Sequence, residues 1–515
     1  RASDWLASRA RLTPGKLAVV EASSGLRLTY EQLQRRVSAL AGCLRQLGVG
    51  KGDRIALLAN NSVKHFDLLF AAGKIGAVFV PLNYRFAVPE LAYVLTDCTP
   101  VLLVYEEPYA AAAAELVRQA AVQHVWGERQ YQAALADELG KRAGQGAFDG
   151  TVRDTHADME DPWAIIYTGG TTGTPKGAIL SHRAITWNAI NTVISWGITE
   201  QDVTPVYLPM FHTGGLNALA TPVLYAGGTV VIGREFDPPA VIRVLEQENC
   251  TIALFVPTMY HMLIQTPEFA KASFASMHTF LSGGAPCPHP IYRAFWAKGL
   301  RFKEGYGLTE AGPNNFCIDP QDAIRKIGSV GKPMFHNWIR LVDEHGRDVV
   351  DGQEGEVWIA GPHVFSGYWN QPEVTARTFC DGWLRTGDVG RRDKDGFYYI
   401  VGRKKDMIIT GGENVYPLEV EHVLQSHPAV SEAAVVGLPD EKWGEAVTAV
   451  VVLTPGSHVT VEELKAYCSG KLAGYKIPKR FLFAGELPKT AVGKIDKKQL
   501  VSLYTEQKAG GSQPA

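Results

Sequence analysis

The sequence carries almost no net charge, little cysteine and no long apolar run. Lysine plus arginine number 51 against 53 aspartate plus glutamate, a formal charge of −2 over 515 residues. No basic surplus would attract a polyanion, so no nucleic-acid partner is expected. The 7 cysteines, at positions 43, 98, 250, 287, 317, 380 and 468, are odd in number and never spaced Cys-x-x-Cys. That argues against a disulfide framework or a cysteine-based zinc site and suits a reducing compartment. No apolar run reaches the roughly 18–20 residues that a membrane-crossing helix needs. Residues 1–4 open no basic-then-apolar signal segment. The expectation is a cytoplasmic protein without a membrane span, with peripheral membrane contact and a homodimer left open. Three common motifs are also missing. No Gly-Lys pair is followed by Ser or Thr, so there is no Walker A loop. Gly-x-Gly-x-x-Gly and Gly-x-Ser-x-Gly are absent too, which excludes a dinucleotide fingerprint and a serine-hydrolase elbow.

What is present is an α/β pattern of domain-scale length. At ~100–200 residues per domain, this chain is expected to hold roughly two to four. Leu33, Val37, Leu40 and Leu44 recur at helical spacing, and 54–59 reads as a strand. Strand-like runs at 163–167, 203–208, 228–232, 251–256 and 279–282 alternate with helical patterns such as 238–247 and 258–265. Such alternation predicts layered α/β structure with largely parallel sheets. From about 330 to 402 short strands and Gly/Asp turns predict a β-rich subdomain. After it the pattern is mixed α+β. The expected organisation is a large domain over 1–402, a hinge at 403–407, a small mobile α+β domain over 408–505 and a disordered tail over 506–515.

The sharpest local feature is Tyr167-Thr-Gly-Gly-Thr-Thr-Gly-Thr-Pro-Lys-Gly177, with four glycines, four threonines and one lysine. Glycines let a backbone approach a polyphosphate closely. Exposed N–H groups and threonine hydroxyls can donate to its oxygens, and Lys176 adds charge.

This segment resembles the phosphate loop of the adenylate-forming superfamily, which includes acyl-CoA synthetases, aryl-CoA ligases and luciferases. Gly169 stands where that pattern has Ser. The likeness runs from about Leu28 to Leu500, motif by motif. It implies nucleotide contacts from Thr168, Gly169, Gly170, Thr171, Thr172, Gly173 and Lys176. It implies others from the segment Gly283-Gly284-Ala285 and from Glu304-Gly305-Tyr306-Gly307-Leu308-Thr309-Glu310. There Tyr306 would stack on adenine and Thr309 would donate to the α-phosphate, while Glu310, with Thr168, would hold Mg²⁺. Asp388 and Arg403 would take the ribose and phosphate. Lys494, in a C-terminal loop, would reach the α-phosphate and the substrate carboxylate. Lys405 matches the family's hinge position. Gly411, Gly412 and Trp443 would line the coenzyme A path with Tyr475 and Lys479, although Ile477 replaces an arginine there. His212 would gate the acid, in a pocket drawn from Trp187, Asn191, Phe211, Thr213, Gly214, Phe255, Gly283 and Gly307.

The implied activity is ATP-dependent ligation of a carboxylic acid to coenzyme A through an acyl-adenylate, with Lys494, Glu310, Thr309, His212 and Lys176 as its catalytic groups. ATP, Mg²⁺ and coenzyme A are the implied small molecules. The likeness favours a medium- or long-chain fatty acid, with an aryl acid of the benzoate or cinnamate type as the alternative. A catalytically inactive nucleotide-binding module is the remote reading. Charged residues retained together at 176, 310, 388, 403 and 494 argue against it.

Overall fold

A computed structural model describes residues 1–143, 157–168, 175–411, 413–469, 471–490 and 494–509. Local sequence rules explain its elements. The helix Tyr30–Gln46 starts at a capping box, in which Thr29 accepts from Gln32 N–H and the Gln32 side chain accepts in return. Two otherwise orphan donors are thereby satisfied. Leu33, Val37, Leu40 and Leu44 all have no exposed surface, so the helical periodicity marks a true buried face. Each such side chain contributes roughly 1.5–3 kcal/mol on burial.

The seven-stranded sheet runs, in spatial order, Gly367–Tyr368, Lys176–Ser181, Pro162–Thr168, Val78–Pro81, Arg54–Leu58, Leu102–Tyr105 and His124–Trp126. Its five strands from Pro162–Thr168 onward pair in parallel. The first two pair antiparallel. Parallel strands buried on both faces read as continuous apolar runs, as Val78–Pro81 does. A four-stranded sheet holds Leu26–Thr29, Leu17–Glu21, Thr229–Ile232 and Val203–Val206. A three-stranded parallel sheet holds Ile252–Phe255, Thr279–Ser282 and Phe302–Glu304.

This layout concentrates function-bearing loops at strand ends. The segments opening at 169, 207, 283 and 305 each follow the carboxyl end of a strand with a parallel neighbour. In open α/β sheets ligands bind at such ends. Ser282 and Glu304 are register partners, so the loops after them emerge side by side.

The β-rich part is a five-stranded antiparallel sheet of Trp338–Val342, Glu354–Ala360, Trp383–Arg392, Phe379–Cys380 and Tyr398–Arg403. Arg403 closes its last strand, and Lys404–Asp406 forms one 3-10 turn. The smaller C-terminal domain has a sheet of Glu413–Val415, Ile408–Thr410, Gly444–Leu453, Val430–Asp440 and Arg480–Phe483. Helices Pro417–Gln425, Val461–Cys468 and Lys497–Ala509 belong to the same part of the chain. Among the described residues no helix is long and apolar enough to cross a membrane.

Candidate active site

The phosphate loop lies between two antiparallel strands. Thr168 and Lys176 face each other in register, and the Thr168 hydroxyl donates to the Lys176 carbonyl at 3.4 Å. Gly169, Gly170, Thr171, Thr172 and Gly173 lie outside the described residues, as does Gly412. The loop's exit is nonetheless specified. A Cβ on Gly177 would sit 2.7 Å from Ile165 Cγ2 and 3.0 Å from Tyr167 Cζ, so only glycine fits beneath that ring. The Tyr167 hydroxyl is tied to Asp97 Oδ2 at 2.5 Å.

The segment after Glu304 is set by close packing. A Cβ on Gly307 would fall 2.0 Å from the Pro313 carbonyl oxygen. Thr309–Ala311 then form a 3-10 turn, with Thr309 buried and Glu310 half-buried. The Tyr306 hydroxyl donates to Asp388 Oδ2 at 2.6 Å. Arg403 Nε pairs with Asp388 Oδ1 at 2.9 Å. Asp388 and Arg403 are register partners on adjacent strands, which is why their side chains meet.

Lys494 reaches this group from the C-terminal domain. Thr490 N–H donates to the Lys494 carbonyl at 2.7 Å, and Lys494 N–H returns to Thr490 Oγ1 at 3.3 Å. Lys494 is exposed to solvent. Desolvation and the Arg403 charge lower its pKa, while Asp388 and Glu310 oppose them. The same ammonium acts on His212. Burial first, and Lys494 second, push that imidazole down to about 4. His212 is thus neutral at pH 7. Its Nδ1 accepts from Gly214 N–H at 3.1 Å, so the proton resides on Nε2.

Four of the expected residues are buried, with partners inside the protein. Glu304 is buried, with Cys287 N–H on Oε1 at 3.1 Å and the Tyr292 hydroxyl on Oε2 at 2.6 Å. It braces the loop that carries Gly283, Gly284 and Ala285. Phe255 has no exposed surface and packs among Tyr207, Phe236 and Tyr260. Thr213 is buried, its hydroxyl accepting from Asn217 Nδ2 at 3.3 Å. Asn191 is buried as well, bonded to Asn337 and to His336 N–H. Gly283 is half-buried, and Gly284 and Ala285 are exposed. Gly284 adopts φ +80°, a backbone that favours glycine.

Burial raises the Glu304 carboxyl to about 8 from its ordinary 4.5. A folded-state pKa above the unfolded one means that the native state holds a proton that the unfolded chain has released. Stability therefore falls as pH rises from about 4.5 to 8 and levels off above that. Glu304→Gln should remove this slope. Between pH 5 and pH 8 its unfolding free energy should gain on the wild type by about 2–4 kcal/mol. Thermal unfolding at several pH values measures it, and parallel curves for the two proteins would contradict it.

Gly411 and Trp443 form a group of their own. Gly411 has φ +58° and donates its N–H to the Trp443 carbonyl at 2.8 Å. The half-buried indole has Lys442 Nζ at 4.9 Å and Lys479 Nζ at 5.1 Å from its ring. Tyr475 is exposed nearby in sequence, and Lys405 is exposed in its turn.

Two residues at this site carry no motif signal. Tyr368 donates to Glu310 Oε1 at 2.7 Å. Asn61 clasps the segment before His212, donating to the Leu208 carbonyl at 2.9 Å and accepting from Met210 N–H at 2.8 Å.

Against this geometry, the comparison with known families is unambiguous. Residues 6–369 match the AMP-binding enzyme family, and 419–494 match the AMP-binding enzyme C-terminal domain. The chain belongs to the AMP-binding enzyme family. It is an AMP-forming acid–CoA ligase of the adenylate-forming superfamily. The ligase is 41% identical to a feruloyl-CoA synthase of Amycolatopsis, over 96% of this chain and 97% of that one. It is 36% identical to a long-chain-fatty-acid–CoA ligase of Mycobacterium tuberculosis, over 97% and 98%. Among solved structures, ATP-bound MatB from Rhodopseudomonas palustris superposes with a TM-score of 0.87 at 34% identity, covering 98% of the ligase and 99% of MatB.

Proposed function

We propose that this ligase activates an aryl acid of the cinnamate type, using Lys494, His212 and the 305–310 segment. The carrying observation is the higher identity to the feruloyl-CoA synthase than to the long-chain-fatty-acid ligase, each over nearly the full chain. Two aromatic pairs occur among the residues drawn for the pocket. Phe211 meets Tyr84 edge-on at 5.2 Å, and Trp187 meets His336 at 5.0 Å. The fatty-acid reading drawn from the sequence is the alternative.

In the first half-reaction the acid's carboxylate oxygen attacks the α-phosphorus of ATP, and pyrophosphate leaves. Both reactants are anions. At ~4 Å and an effective dielectric of ~20, one pair of like charges repels by about 4 kcal/mol. Lys494 offsets that repulsion at the reacting centre. His212, protonated on Nε2, donates to the carboxylate and fixes its direction of attack. Thr309 donates to the α-phosphate, and Asp388 accepts from the ribose hydroxyls. Lys176 neutralises the departing pyrophosphate.

Glu310 fits a Mg²⁺ role. Among the described residues no group of three His, Cys, Asp or Glu could hold a metal. A single carboxylate is nonetheless how Mg²⁺ commonly binds beside a nucleotide, with phosphate oxygens and water completing its shell. When bound, the ion would screen the phosphate charges.

In the second half-reaction the thiol of coenzyme A attacks the acyl carbonyl and AMP leaves. Lys494 then has no task. Rotation about Lys405 would withdraw it and bring Gly411, Gly412 and Trp443 to the site, an exchange of hinge type. Lys442 and Lys479 beside Trp443 provide charge for the phosphates of coenzyme A.

The substrate class is tested by a panel of acids scored by AMP formation. Ferulate or a related cinnamate should exceed C8–C16 fatty acids in kcat/KM by at least about 20-fold, a difference of ~1.8 kcal/mol. The reverse order would return the fatty-acid reading.

A further inference from the structure

We propose that Tyr368 is a positioning residue that aims the Glu310 carboxylate at its metal and holds Lys176 beside it. The proposal rests on the metal role read above for Glu310. Tyr368 ends the two-residue strand Gly367–Tyr368, which pairs antiparallel with Lys176–Ser181 and sets Tyr368 opposite Ala178. Its hydroxyl donates to Glu310 Oε1 at 2.7 Å. Lys176 Nζ stands 5.4 Å from the centre of the same ring. One side chain therefore bonds the Glu310 carboxylate and lies against the Lys176 ammonium.

Tyr368 is itself held firmly. Its N–H donates to Thr375 Oγ1 at 2.8 Å. Its ring meets Phe365 edge-on at 5.0 Å, and Phe365 N–H donates to the Glu310 carbonyl at 2.9 Å. Gly367, with φ +135°, has no room for a Cβ, which would lie 2.5 Å from Thr375 Cγ2. The two residues that Tyr368 touches are thus oriented from one rigid point.

The physical need is specific. A site built on one carboxylate depends on that group's direction more than a site with three ligands does. An unrestrained glutamate divides its time among rotamers, and each metal-binding event must then order it. A phenol on Oε1 fixes the plane of the carboxylate and leaves Oε2 for the cation. Among the described residues no group donates to Oε2. Outer-shell hydrogen bonds of this kind typically change metal affinity 10–100-fold. The ring has a second, separable effect, since an ammonium near an aromatic face is restrained without losing its charge.

Two variants separate the effects. Tyr368→Phe removes the hydroxyl and keeps the ring; Tyr368→Leu removes both. Binding of Mn²⁺ to the whole chain, with a non-hydrolysable ATP analogue present, is followed by water-proton relaxation. Affinity of the metal-free analogue is measured by calorimetry. Tyr368→Phe should weaken Mn²⁺ binding about tenfold, with metal-free analogue affinity unchanged within about twofold. Tyr368→Leu should add a loss of about threefold or more in analogue affinity, by freeing Lys176. Glu310→Gln serves as the reference. If Glu310→Gln abolishes Mn²⁺ binding and Tyr368→Phe leaves it unchanged, the positioning role is overturned alone. If both leave it unchanged, the metal role of Glu310 fails with it. Loss of folding in Tyr368→Phe at 25 °C would also overturn the proposal, because the tyrosine would then be a structural member first.

Discussion

Lys494→Ala should lower the rate of acyl-adenylate formation about a thousandfold and leave thioester formation from a supplied acyl-adenylate within about threefold of wild type. The first figure follows from charge. The repulsion of about 4 kcal/mol between carboxylate and α-phosphate corresponds to roughly three powers of ten in rate. Loss of a single oriented donor in other enzymes costs 10²–10³, so the estimate lies at the upper end of what one group supplies. The second figure follows from where the lysine sits. Its turn belongs to the C-terminal domain, while Glu310, Asp388 and His212 belong to the larger one. If the domains exchange faces between half-reactions, the lysine is absent from the second. Rapid-quench assays of each half-reaction measure both rates. Equal losses would assign Lys494 to overall structure instead.

Gly307→Ala should abolish both half-reactions, whereas Gly305→Ala, two residues earlier, should retain activity within a few-fold. The distinction is steric. A Cβ at 307 would lie 2.0 Å from the Pro313 carbonyl oxygen, whereas none of the surrounding atoms comes within 4 Å of a Cβ at 305. The clash at 307 is with backbone, so about 1 Å of chain movement is required. Overpacking of this sort typically costs 1–3 kcal/mol of stability. A displacement of about 1 Å in positioned groups costs on the order of 10²-fold in rate. Thr309, Glu310 and Tyr306 all lie within three residues of the clash, so their errors compound. Nucleotide binding by calorimetry, with melting temperatures of both variants, separates misplacement from unfolding. Comparable activity in the two variants would refute the steric account.

The parts of this molecule legible in its sequence are those fixed by short-range rules. The helices Pro238–Gln247 and Pro417–Gln425 run over the span their apolar spacing and N-terminal prolines imply. Asp388 and Arg403 were both visible because each sits in a contiguous motif. The gate helix Thr213–Asn217 was not, since its two glycines disfavour helix and only the His212 cap starts it. The burial of Glu304 was not legible, because membership of a motif does not say which way a strand residue faces. The burial of Phe255, Thr213 and Asn191 was not legible either, because pocket walls and cores draw on the same residue types. Tyr368 and Asn61 escaped notice for a different reason. Their contacts to Glu310 and Leu208 span 58 and 147 residues, and no local pattern encodes such pairings.

The central claim is that the carboxylate attacks the α-phosphorus of ATP. It is tested most directly with an acid labelled with ¹⁸O in both carboxylate oxygens, turned over with ATP, Mg²⁺ and coenzyme A. The account predicts AMP carrying one ¹⁸O per thioester formed, together with unlabelled pyrophosphate. Unlabelled AMP, or ADP with labelled inorganic phosphate, would contradict it.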